Sequence, residues 1–213
     1  FDQALAARRD ELRGVKIRCC LSMRPRAVLE CDETGDHFLW FNWHFSGYDR
    51  KKHDAGRCNY IPMNFGEVPD WYRRFIDPVD IAVFKTSPID ENGCFSFGAS
   101  STYTQAIIER ARCVIVEVCP HMPQVFGEQS SVHISDVDYI IAEGGDPLPE
   151  IKNPPVSEID RKIASLIAAE VEDGACLQIG IGGMPNAVCS MLREAGVKDL
   201  GIHTEMLTDG IVD

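Results

Sequence analysis

Short apolar runs alternate with stretches of helical spacing along this chain of 213 residues. The runs over 79–87 and 113–119 are nearly continuous, as expected of parallel strands covered on both faces. Shorter strands are expected over 15–22, 58–65, 175–181 and 200–206, with an aromatic one over 37–45. Helical composition predicts helices over 2–13, 46–56, 69–77, 101–112, 157–174 and 185–196. Their punctuation agrees: Gly56 and Gly174 stand where left-handed helix ends are favoured, and Ser or Thr stands at the start of the helices over 101–112 and 157–174 as a cap. Residues 88–98 read as a turn at Asn92-Gly93 followed by a short hairpin strand. The helix over 157–174 is the clearest: Ser157 is a cap with Asp160 three residues on, and Ile159, Ile163, Leu166, Ile167 and Val171 form one apolar stripe.

Strands alternating with amphipathic helices predict an α/β fold, with open, mainly parallel sheets flanked by helices. Residues 120–155 read as irregular, and Pro154-Pro155 is the best linker. The pattern restarts beyond it. Two domains are expected, one over 1–153 and the beginning of a second over 154–213. With no initial Met and an abrupt stop, the chain is expected to be a piece of a longer protein whose second domain is truncated.

Composition narrows the function. Acidic residues number 33 against 21 basic ones, a net charge of −12, which argues against a nucleic-acid or anionic-membrane surface. No apolar stretch reaches the ~18 residues of a membrane span. Nine cysteines occur without a Cys-x-x-Cys pair. Several, such as Cys113 and Cys176, sit in apolar runs, so buried reduced thiols and a cytoplasmic location are expected. The basic clusters are Arg50-Lys51-Lys52 and Arg73-Arg74, whose ordinary role is a solvated helix face.

Two segments carry candidate chemistry. Over 177–188, Gly180, Gly182 and Gly183 follow an apolar strand, and Pro185 begins a helix where its missing N–H costs nothing. Such a backbone approaches a ligand closely and points free N–H groups at an anion or oxyanion. Pro185 occupies the last glycine position of a dinucleotide fingerprint and breaks it. A plain strand–helix turn fits the glycines equally well. In the second segment, a short strand ends in His203-Thr204-Glu205. Strand carboxyl ends carry the ligand crevice of a parallel sheet. A carboxylate there serves as base, metal ligand or nucleophile, or is merely solvated. Asp209 and Asp213 read as turn residues. Trp40, Phe41 and Trp43 read as core rather than a substrate cage.

Together the blocks over 43–81, 121–140, 177–188 and 199–213 resemble the acetyl-CoA hydrolase/transferase family. The subgroup resembled holds the 4-hydroxybutyrate and butyryl-CoA:acetate CoA-transferases. The resemblance covers essentially the whole chain. It implies that Glu205, in the His-Thr-Glu-Met block, is a covalent nucleophile that forms an acyl-glutamyl anhydride and then an enzyme–CoA thioester. Gly180, Gly182, Gly183, Pro185, Asn186 and Gln178 are then the candidates for binding CoA or the oxyanion. Acyl-CoA and short-chain carboxylates are the implied substrates, with no tightly bound cofactor and no metal. A homodimer or higher homo-oligomer is implied as well. An acyl-CoA hydrolase using the same glutamate, and a non-catalytic CoA-binding module, are the alternatives. The segments 64–69 and 121–127 are candidates for lining an acyl pocket, with Glu67 read as an ordinary loop contact.

Overall fold

A computed structural model describes residues 1–142, 147–152 and 154–212. The chain divides into two compact units, Phe1–Pro149 and Glu150–Asp213. Asn153, the last residue of the first expected domain, and Asp213, read as a turn residue, lie outside the described residues.

The first unit opens with α1 (Asp2–Ala7) and a 3-10 turn over Arg9–Glu11, in place of one helix over 2–13. Then follow β1 (Val15–Cys19), α2 (Ala27–Cys31), β2 (Phe38–Asn42), α3 (Gly47–Asp54) and β3 (Asn59–Tyr60). The strands form one parallel sheet in the order β1-β2-β3. Its core is Val28, Leu29, Phe38, Trp40 and Cys58, onto which Leu5, Leu12 and Ile17 pack. Trp40 and Trp43 are buried, as the core reading expected, while Phe41 stays half-buried under the Arg18 guanidinium.

Helix α3 starts where it does because Ser46 and Asp49 form a reciprocal capping box, and Gly56, at φ +72°, lies just past its end. Asp49 is fully buried and also accepts from the Ser22 N–H at 2.9 Å. Asp32, equally buried, accepts from the N–H groups of Gly35, His37 and Phe38 and faces Arg57 at 3.6 Å. Burial opposes ionisation of Asp32, but these donors and the guanidinium outweigh it and hold the carboxyl below its ordinary range. For Asp49, burial is likewise outweighed, chiefly by the Ser46 N–H and by Ser22.

Next come α4 (Val68–Arg74), with Pro69 in its first turn, β4 (Ala82–Thr86), β5 (Cys94–Ser96), α5 (Thr104–Ile108) and β6 (Val114–Val118). The Ser and Thr residues before α5 do not cap it. Its N-cap is Tyr103, which makes no side-chain cap bond, and the Ser101 hydroxyl donates instead to the Gln129 carbonyl. The stretch expected to be irregular holds two strands, β7 (Ser131–His133) and β8 (Tyr139–Ile141). Each has three residues, too few for a periodic signal, and exists through its partner. β8 extends a parallel sheet of order β4-β6-β8, and β7 pairs antiparallel with β5.

In the second unit, α6 (Glu158–Ala168), β9 (Cys176–Leu177), α7 (Gly183–Ala195), β10 (Gly201–Ile202) and α8 (Asp209–Val212) follow in turn. β9 and β10 pair in parallel. The Ser157–Asp160 capping box of α6 is present. Its apolar stripe is not the buried face. Ala164 is fully buried, while Ile159 and Leu166 are 72% and 66% exposed. The core here is Ala164, Ala187, Val188 and Leu192. Small residues let α6 approach α7 closely, and that choice of face leaves the larger side chains outside. The ends of the elements differ as well. α6 stops at Ala168, well before Gly174, whose φ of +80° instead serves the turn into β9. Asp209 begins α8 rather than a turn. Cys176 is exposed, whereas Cys58, Cys119 and Cys189 are buried, and none of the nine cysteines forms a disulfide among the described residues. Among the described residues, no helix is long and apolar enough to cross a membrane.

Candidate active site

The glycine segment and the glutamate both lie in the second unit, joined by one pairing. β9 and β10 run side by side, with Ile202 opposite Leu177. The His203 N–H donates to the Leu177 carbonyl at 2.9 Å. One step on, the backbone ladder is replaced by a side chain. The Thr204 hydroxyl accepts from the Ile179 N–H at 3.1 Å and donates to the Ile179 carbonyl at 2.7 Å. Glu205 follows Thr204 directly, and Gly180 follows Ile179. The pairing therefore delivers the glutamate and the glycine turn to the same end of the two strands. The sequence names Thr204 as part of the His-Thr-Glu-Met block but gives it no role of its own. A threonine at a strand end is ordinary, and only the pairing reveals its task.

The glycine turn has the conformation that its composition suggested. Gly182 adopts φ +123° and ψ −179°, a region essentially reserved for glycine. It is the N-cap of α7, so the helix begins at Gly183, two residues earlier than expected. Pro185 is thus its third residue, still within the first turn, where no N–H is needed. The N–H groups of Gly183 and Met184 have no backbone acceptor among the described residues. They are free donors at a positive helix end, suited to an anion or an oxyanion. Gly180 leaves room: a Cβ there would meet only the Pro185 ring, at 3.8 Å.

Asn186 lies on the same first turn. Its side-chain oxygen and nitrogen are both buried and make no hydrogen bond among the described residues. Buried amides are normally paired, so this one has a donor and an acceptor to offer a ligand. Gln178 is exposed, and its amide reaches only the neighbouring Ile179 carbonyl, at a long 3.5 Å. Glu205 is exposed and makes no hydrogen bond or ion pair among the described residues.

In the first unit, Glu67 ends a 3-10 turn over Phe65–Glu67 and is exposed. Asn42 is fully buried, with its side-chain oxygen accepting from the His44 N–H at 2.8 Å, which is a structural role. Phe126, in the segment considered for an acyl pocket, is 90% exposed and lines a recess with Gln124 and Ser130. Arg73 pairs with Glu109 at 2.7 Å, a surface contact.

The family model described as the acetyl-CoA hydrolase/transferase N-terminal domain matches residues 1–151. The chain belongs to this family. Within it, the chain is 45% identical over 216 residues to the butyryl-CoA:acetate CoA-transferase of Anaerostipes caccae, an alignment that covers 100% of this chain and 48% of that protein. It resembles the crystal structure of RipA from Yersinia pestis with a TM-score of 0.83 and 33% identity, covering 100% of this chain and 51% of that one. A 4-hydroxybutyrate CoA-transferase structure from Porphyromonas gingivalis gives a TM-score of 0.70 at 32% identity, over 99% of this chain and 55% of the other. The chain spans about half the length of the curated relatives it matches. Family membership agrees with the α/β architecture of parallel sheets and helices seen in both units.

Proposed function

We propose that the protein to which this chain belongs is a CoA-transferase, moving CoA between a short-chain acyl-CoA and acetate or a similar carboxylate, with Glu205 as its nucleophile. The observation that supports this reading is the Thr204–Ile179 pairing, which joins the strand end leading to Glu205 to the one leading into the glycine turn. The resemblance to CoA-transferases of the butyryl-CoA and 4-hydroxybutyrate type supports the substrate class.

The Glu205 carboxylate attacks the thioester carbonyl. The C–S bond breaks, CoA leaves as a thiolate, and an acyl-glutamyl anhydride remains. The thiolate then attacks the glutamyl carbonyl and expels the donor carboxylate, leaving CoA on Glu205 as a thioester. An acceptor carboxylate runs the same two exchanges backwards, giving ping-pong kinetics. Each attack builds negative charge on a carbonyl oxygen. The N–H groups of Gly183 and Met184 and the Asn186 amide are the local donors for that charge or for CoA itself. One well-placed donor of this kind contributes about 3 kcal/mol to the transition state.

Incubation with acyl-CoA, reduction with borohydride and peptide mapping tests the assignment. Label on Glu205 is the expected result. Label elsewhere, or none, overturns it. One observation favours a second reading, an acyl-CoA hydrolase: Glu205 is open to solvent, so water can reach an anhydride formed on it.

A further inference from the structure

The first unit holds a cavity of its own. It occupies about 610 Å³ at the carboxyl ends of β2 and β3, lined in part by His44, Phe45, Arg50, His53, Asp54 and Tyr60. This end of a parallel sheet is where open α/β folds take ligands, and the volume is that of a small-molecule site.

The lining is chemically divided. Arg50, His53 and Asp54 stand three and four residues apart on α3 and so share one face of it. Two nearby cations are already engaged: Lys52 with Glu30 at 2.9 Å, and Arg57 with Asp32. Arg50 makes no ion pair or side-chain hydrogen bond among the described residues. His53 is held in place by Nδ1, which lies 2.7 Å from the Cys58 carbonyl oxygen and so bears the proton. That leaves Nε2 as the ring's second polar atom. Opposite, Phe45 meets Tyr60 edge-on, with centroids 5.1 Å apart and planes at 70°. Tyr60 remains 51% exposed, which leaves it accessible to a planar partner. Asp54 adds an acceptor that disfavours a bare anion but suits hydroxyl groups.

We propose that this cavity binds a nucleoside monophosphate, with its base stacked on Tyr60, its phosphate on Arg50 and its ribose hydroxyls on Asp54. One free guanidinium, one accessible aromatic ring and one carboxylate acceptor match the three parts of such a ligand.

Calorimetric titration of the protein with AMP, adenosine and inorganic phosphate provides the test. AMP is expected to bind at least about tenfold more tightly than either fragment. Arg50→Gln should weaken AMP by about tenfold while sparing adenosine. Tyr60→Ala should weaken AMP and adenosine by about tenfold while sparing phosphate. Both side chains are exposed, and unchanged melting of the variants confirms that they fold. No AMP binding at millimolar concentration, phosphate binding as tight as AMP, or AMP affinity unmoved by both substitutions each overturns the proposal. Glu205→Gln should leave AMP affinity unchanged, which separates this site from the proposed CoA chemistry.

Discussion

The single hydroxyl of Thr204 satisfies both backbone groups of Ile179, accepting from its N–H at 3.1 Å and donating to its carbonyl at 2.7 Å. The side chain thereby extends a two-residue parallel pairing that backbone contacts alone do not carry further. Ile179 is buried, so its backbone groups have little access to water. Thr204→Val should cost about 2–3 kcal/mol, the penalty of leaving buried groups unpaired, whereas Thr204→Ser should cost under about 1 kcal/mol. Urea unfolding measures both. In thioester exchange, the valine variant should lose kcat more than it raises KM, because Glu205 is displaced rather than the binding surface. Equal stability of the two variants would refute this role.

Gly182 should not tolerate a side chain, although space exists for one. The nearest atom to a Cβ there is Pro185 Cδ at 3.9 Å. The obstacle is its φ of +123°. Gly182→Ala should therefore destabilise by about 1–3 kcal/mol through backbone strain and weaken CoA binding. Gly180→Ala, with ordinary φ and open space, should be far milder. Thermal unfolding and CoA titration of the pair distinguish strain from crowding.

Acid should act on the first unit through Asp32 and Asp49. Both carboxyls titrate below their ordinary range in the folded chain. Their contribution is therefore fully present above the unfolded-state value near 3.9 and is lost as pH falls through the folded-state values. Asp32→Asn should be clearly destabilised at neutral pH, with the gap to the parent closing below about pH 4. Urea midpoints of parent and variant across pH 3–7 would show this. A constant gap would contradict it.

Helix α6 should respond to substitution in the opposite way to its hydrophobic pattern. Leu166→Ser, at an exposed position, should change the stability of this chain by no more than about 0.5 kcal/mol. Ala164→Leu, at a fully buried one, should cost about 1–3 kcal/mol through overpacking against α7. Denaturant unfolding of the two variants checks the reversal.

Transfer and hydrolysis separate in one assay. With butyryl-CoA, free thiol should accumulate slowly without acetate, and acetyl-CoA should form when acetate is added. Thiol release at the same rate with and without acetate would favour the hydrolase reading.

Much of the local structure is set by the sequence alone. The Ser46–Asp49 and Ser157–Asp160 boxes start their helices wherever the rest of the chain goes, because each is complete within four residues. The continuous apolar run over 113–119 likewise marks β6 by its composition, and Val114 and Val116 are buried there. The glycine turn was legible because its conformation excludes other residues.

Tertiary structure decided what depends on a partner distant in sequence. β7 and β8 are too short to announce themselves and exist only against β5 and β6. The buried side of α6 follows from how closely α7 approaches, which favours Ala164 over Leu166 whatever the amphipathic pattern prefers. The position of Glu205 beside the glycine turn is of this kind too. The residues were visible in the sequence. Their juxtaposition rests on a threonine hydroxyl spanning 25 positions of chain to Ile179, a contact that no local pattern encodes.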